Sequence, residues 1–117
     1  MAVTAQRIIS IQTTGDIQIA DTFEAEANAS SPAQVEIRQL ASGNNTITPP
    51  SSGCITKAVT IIPPAANATV ITAKGVGGDT GIAIHVTDPT TIALNSSTAT
   101  FVLSAAGTIN GVRLIWT

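Results

Sequence analysis

Val112-Arg113-Leu114-Ile115-Trp116 sets the fold. Val112, Leu114 and Trp116 alternate with Arg113 and Ile115, and a period of two places each set on one face of a β-strand. The same rhythm recurs upstream. Ile17 and Ile19 alternate with Asp16, Gln18 and Ala20, Val35 and Ile37 with Gln34, Glu36 and Arg38, and Ile82, Ile84 and Val86 with Ala83, His85 and Thr87. Further β-like runs are Val3–Ile11, Cys54–Ile62, Ala68–Ala73, Thr91–Leu94 and Ala99–Ser104. They are rich in β-branched residues, which suit a pleated, half-buried surface.

Turn signals punctuate these runs about every ten residues: Thr14-Gly15-Asp16, Ser42-Gly43-Asn44-Asn45, Pro49–Gly53, Pro63-Pro64, Gly75–Gly81, Asp88-Pro89, Asn95-Ser96-Ser97 and Gly107. Asn110-Gly111 reads either as a two-residue hairpin turn or as a bulge. Asp21–Asn28 carries Ala and Glu, which favour helix, but spans barely two turns. It is expected to be a strand end followed by a loop or a single turn. No crossover helix separates the strands, so the pairing should be antiparallel. The expected fold is all-β: one domain over residues 1–117, an antiparallel β-sandwich of jelly-roll type with 8–9 short strands. An immunoglobulin-like sandwich is the second choice, without the Cys…Trp…Cys core of a true immunoglobulin domain.

Composition narrows function by subtraction. More than a third of the 117 residues are Thr, Ala or Ser; 44% are hydrophobic, 10% charged and 3% aromatic. The net charge is -2 and the pI about 5.0. Arg7, Arg38, Lys57, Lys74 and Arg113 are scattered and form no run that neutralises a row of phosphates, so nucleic acid is not an expected partner. No apolar run approaches a membrane span, and Met1–Arg7, with no basic region followed by an apolar one, is not expected to be a signal peptide. Cys54 is the only cysteine, which fits a chain made in a reducing cytoplasm. Low charge invites self-association, so much of the surface is expected to be covered by neighbouring copies. Val3–Ile11 is expected to be an edge strand that docks on another subunit, with both chain ends tied down by pairing or by neighbours. Asn-x-Ser/Thr triplets at Asn28, Asn44, Asn67 and Asn95 are expected by chance in so Ser/Thr-rich a chain.

The chemical motifs fail for want of partners. Asp79-Thr80-Gly81 matches the catalytic triplet of aspartic proteases, which pair two such loops. Here Gly75-Val76-Gly77-Gly78 precedes it instead of an apolar strand, and neither a flap nor a later apolar-apolar-Gly element follows. A tight turn is expected, with Asp79 bonding local N–H groups. The same glycines lack the Gly-Lys-Ser/Thr ending of a phosphate cradle. His85 is expected on the polar face of its strand. One His and one Cys cannot close a zinc site, and a Cys54–His85 nucleophilic pair has no local support. Sugar sites need exposed aromatic faces, yet Phe101 and Trp116 fall on positions expected to be buried, leaving Phe23. No catalytic, cofactor-binding or metal-binding residue is assigned, no cofactor is expected, and the chain is read as non-enzymatic.

Lys74-Gly75-Val76-Gly77-Gly78-Asp79-Thr80-Gly81-Ile82-Ala83-Ile84-His85, continuing through Asp88–Leu94 to Phe101-Val102-Leu103, resembles small virion proteins of tailed bacteriophages. The resemblance covers the C-terminal half. It implies a structural virion protein, capsid decoration (cement) or a tail component, made in the host cytoplasm. The partners it implies are further copies of the chain, a trimer being favoured, and the major capsid protein or a neighbouring tail protein. A fibre adaptor and a glycan- or receptor-binding module on the particle are the alternatives.

Overall fold

The computed structural model describes residues 3–12, 20–29, 34–49, 58–95 and 100–117. The expected strand around Ile17 and Ile19, and the run Cys54–Lys57, lie outside them. Among the described residues there are ten strands and no helix. They are β1 (Val3–Gln12), β2 (Ala20–Ala29), β3 (Gln34–Leu40), β4 (Gly43–Ile47), β5 (Ala58–Ile62), β6 (Ile71–Lys74), β7 (Ile82–Ile84), β8 (Thr90–Ala93), β9 (Phe101–Ala105) and β10 (Ile109–Trp116).

Eight of them make an antiparallel β-sandwich. One sheet has the order β3-β10-β5-β8 and the other β4-β9-β6-β7. The pairs nest: β3 with β10, β4 with β9, β5 with β8 and β6 with β7. The described strands from β3 to β10 thus nest as a two-stranded ribbon, innermost at β6–β7, that alternates between the two sheets. Pairing of β10 with β5 and of β9 with β6 stitches successive turns of the ribbon together.

The period-two alternation decides what the sandwich buries. Val112, Leu114 and Trp116 are fully buried, the last two opposite Ile61 and Val59 of β5 across the ladder. Ile47, Ile71, Leu103 and Ala105 meet them from the facing sheet. Ile109 presents a parity problem, because it stands three steps from Val112 and alternation would send it outward. β10 solves this with a bulge. Ile109 pairs with Leu40 and Val112 with Arg38, so β10 uses three steps where β3 uses two. Gly111 takes the positive φ of 77° that the extra residue requires. Ile109 and Val112 then face the same core. Asn110-Gly111 is therefore the bulge and not a hairpin turn, and the Asn110 Oδ1 accepts a 2.6 Å hydrogen bond from Gln39 Nε2.

Two expectations are corrected. Asp21–Asn28 is neither loop nor turn: it lies inside β2, which pairs with β1 over ten residues, from Val3 opposite Ala29 to Gln12 opposite Ala20. Cross-strand pairing overrides the helical preference of its Ala and Glu residues. Ser42–Asn45 is not a simple turn either. Gly43-Asn44-Asn45 begins β4, and Asn45 holds the crossing from one sheet to the other. Its Oδ1 accepts from the Ala41 N–H at 3.0 Å, and its Nδ2 donates to the carbonyls of Ala41 (2.9 Å) and Leu103 (3.1 Å). The expected edge strand Val3–Ile11 is found as β1, but its partner is β2. These two strands form a separate two-stranded sheet and pack against each other far more than against any other strand.

Candidate functional site

The Asp79 triplet sits in the β6–β7 connection. Asp79 Oδ2 accepts a 3.0 Å hydrogen bond from the Val76 N–H, and the Asp79 N–H donates to the Val76 carbonyl at 3.1 Å. The loop is anchored to β4, because Asn44 Nδ2 donates to the Gly77 carbonyl at 3.2 Å. Gly81 has φ of 76°, and an added Cβ would lie 2.5 Å from the Ala73 carbonyl oxygen. The carboxylate is occupied in shaping a turn, which is what a short Asx-type loop needs. Asp79→Asn keeps an accepting oxygen. It is expected to move the thermal midpoint by no more than about 3 °C and to change no peptidase activity. A peptidase activity abolished by that substitution would contradict the turn reading.

His85 lies just beyond β7 and not on a strand face. Its Nδ1 accepts from the backbone N–H groups of Asp88 (2.9 Å) and Thr87 (3.2 Å). Those two donors place the proton of the neutral ring on Nε2. The imidazole thus caps the β7–β8 turn, a structural task that the alternation did not reveal. Cys54 lies outside the described residues. Among the described residues no three His, Cys, Asp or Glu side chains gather to hold a metal ion.

Asn67 is half-buried, and its side chain is fully engaged. Nδ2 donates to the carbonyls of Val86 (2.7 Å) and Thr69 (2.9 Å), and Oδ1 accepts from the Thr69 N–H at 3.1 Å. An amide committed in this way staples the β5–β6 connection to the β7–β8 connection and leaves no free nitrogen for a glycan.

Trp116 is fully buried and Phe101 half-buried, with ring centroids 6.4 Å apart and planes at 59°. Neither presents an open face to a sugar ring. Beside Phe101 a cleft of about 240 Å³ opens between the sheets, lined by Ala73, Lys74, Gly75, Ile92, Leu94 and Phe101. Lys74 is its only charged wall, so it lacks the convergent polar groups that orient a small ligand.

The chemically distinctive surface is elsewhere. In β3 the apolar set faces outward: Val35 is 61% and Ile37 69% exposed. Glu36 and Arg38 turn toward the core edge, opposite Leu114 and Val112, where they pair at 3.5 Å. Inward-turned charges are a means of closing a sheet edge to further strands. The outward set continues across the sheet. Ile37, Arg113 and Ile62 form one row, and Val35, Ile115, Thr60 and Thr91 the next. The Thr60 and Thr91 hydroxyls are hydrogen-bonded at 2.9 Å. Period two identified these residues as one set but not as the outer one. Ile82, grouped by alternation with Ile84 and Val86, is likewise the most exposed large apolar residue among the described residues, at 76%.

The β1–β2 arm is open too. Ile8 is 54% and Ile9 46% exposed. As neighbours along a strand they point to opposite faces, so neither face of the ribbon is covered there. Ser10 and Thr22 bond across the ribbon through their hydroxyls at 3.3 Å. No protein-family model, curated protein or solved structure matches this chain.

Proposed function

We propose that this chain is a non-enzymatic structural protein of a phage virion, a capsid decoration or cement protein that stabilises the particle through β-rich contacts between subunits. The observation that carries the reading is the pairing of an apolar outer sheet face with a separate β1–β2 arm that exposes Ile8 and Ile9. Monomeric proteins seldom leave contiguous apolar surface uncovered, and such surface marks an interaction site. We read the nested pairing as jelly-roll-like, an architecture used by capsid and lectin domains alike. Fold alone does not choose between those uses. The site chemistry favours the first, because Trp116 is buried and Phe101 half-buried beside it, while threonine and aliphatic groups flank Arg113 on the outer sheet face.

Such a protein works by burial. Each 100 Å² of apolar surface removed from water contributes about 2.5 kcal/mol, and many copies on a lattice make modest contacts cumulative. The partners are further copies of this chain, a trimer being the favoured assembly, and the major capsid protein. A neighbouring tail protein is the partner in the second reading, a tail or fibre-adaptor component, which the separate arm also suits. The test is the protein content and density map of purified particles. The 11.8 kDa chain is expected there in many symmetric copies on the outer shell. Its absence from particles sinks both readings. A glycan array with strong hits would instead favour a receptor-binding module.

A further inference from the structure

We infer that the outer face of the β3-β10-β5-β8 sheet is the seat for the β1–β2 arm of a second copy of this chain. The inference rests on the reading of the chain as an assembly protein and specifies how copies join.

Both halves of the contact are unsatisfied within one chain. Val35 and Ile37 stand at 61% and 69% exposure on the face, and Ile8 and Ile9 at 54% and 46% on the arm, so the arm does not rest on its own sheet. An isolated two-stranded ribbon is marginally stable in water and needs a third layer or strand. The inward-turned Glu36 and Arg38 guard the β3 edge, which directs a partner to the face instead of the edge.

Charge identifies the occupant. Residues 3–29 hold Arg7 against Asp16, Asp21, Glu24 and Glu26, a net of 1 − 4 = −3. Residues 30–117 hold Arg38, Lys57, Lys74 and Arg113 against Glu36, Asp79 and Asp88, a net of 4 − 3 = +1. These sum to the -2 of the whole chain. The acidic excess lies in the arm segment, while among the described residues the one charge in the outward rows of the apolar face is the exposed Arg113. Opposite charge steers the two surfaces together and fixes their register. Length also agrees. Ten-residue strands span about 33 Å, enough to cross a four-stranded sheet about 19 Å wide. Four residues separate Ala29 from Gln34, so the arm springs from the edge of the sheet that bears the face. Each copy therefore offers one arm and one seat, and the contact closes either reciprocally in a pair or head-to-tail in a ring.

The test uses two single substitutions in the full chain, Ile9→Glu on the arm and Ile37→Glu on the face, followed by light scattering after size exclusion. Both residues are exposed, so circular dichroism and the thermal midpoint should match the parent. Should either variant unfold, Ile9→Ser and Val35→Lys replace them. Each variant alone is expected to associate about 100-fold more weakly, because a charge would be buried without a partner. Mixing the two is expected to restore a one-to-one pair, since the intact arm of one meets the intact face of the other. If Ile9→Glu and Ile8→Glu, which alter the two opposite faces of the arm, both associate like the parent, the arm is not the occupant and the inference fails. If Ile37→Glu does, arms join arms and it fails equally. A mixture that stays monomeric, or a parent chain that is monomeric throughout, also overturns it. None of these outcomes bears on whether the chain is found on particles, which the particle map decides separately.

Discussion

Replacing Trp116 with alanine is expected to cost about 3–5 kcal/mol of stability, lowering the thermal midpoint by roughly 15–25 °C. Trp116 is the largest fully buried side chain. It sits on β10, the strand paired on both edges, opposite Gln34 of β3 and Val59 of β5. Its ring packs obliquely on Phe101 of the other sheet, so truncation opens a cavity between the two layers. The indole adds a second, opposite term. Among the described residues its Nε1–H is buried with no hydrogen-bond partner. An unpaired buried donor is itself costly, so Trp116→Phe, which removes it and keeps most of the ring, is expected to cost about 1 kcal/mol or less. Chemical denaturation of both variants checks the pair. Equal losses for Phe and Ala would mean that the N–H has a partner that stabilises the fold.

Gly81→Val is the second large effect, expected at about 2–4 kcal/mol from backbone conformation and steric conflict together. At φ of 76° the new Cβ would stand 2.5 Å from the Ala73 carbonyl oxygen and 2.8 Å from Thr72 Cγ2. The carbonyl belongs to β6, which pairs Ala73 with Ile82 immediately after the glycine. The conflict therefore detaches β7 from the edge of its sheet. Hydrogen exchange should show Ile82–Ile84 losing protection before the core strands do. Gly78 has nothing within 4 Å of an added Cβ, so Gly78→Ala is the control and should leave β7 protected. Protection of β7 in Gly81→Val equal to that in the parent would contradict the account of this loop.

The contrast between these two positions shows what a linear sequence discloses. Trp116 belongs to a run whose alternation carries its meaning locally, so its strand and its burial were both legible. Gly81 was legible as part of a turn, because glycines crowd around it and no apolar strand precedes Asp79. The strand β4 was not legible: Gly43-Asn44-Asn45 has turn chemistry, and it becomes a strand through pairing with β9, some 58 residues away, and through the Asn45 amide. The strand β2 was hidden for another reason: its Ala and Glu residues favour helix, and only pairing with the neighbouring β1 overrides that preference. At Asn110-Gly111 the sequence left turn and bulge open. Only the need to bring Ile109 and Val112 to one face settles that choice. The candidate surface was least visible of all. Val35 and Ile37 declared themselves a set, but which face of a strand meets the core depends on the sheet it joins. An apolar set turned outward on a strand whose charges turn inward inverts the usual expectation, and only the fold reveals it.

The same inversion explains why a chain so poor in charge and in reactive side chains has a surface to act with. Its Thr, Ser, Ala and aliphatic residues let sheets approach closely without burying charges, whose desolvation would be costly. The most direct test of the central claim is the mass of the full chain in solution, measured by light scattering from micromolar to millimolar concentration. The account predicts a defined multiple of 11.8 kDa that dissociates on dilution. A single species of 11.8 kDa across that whole range would contradict it.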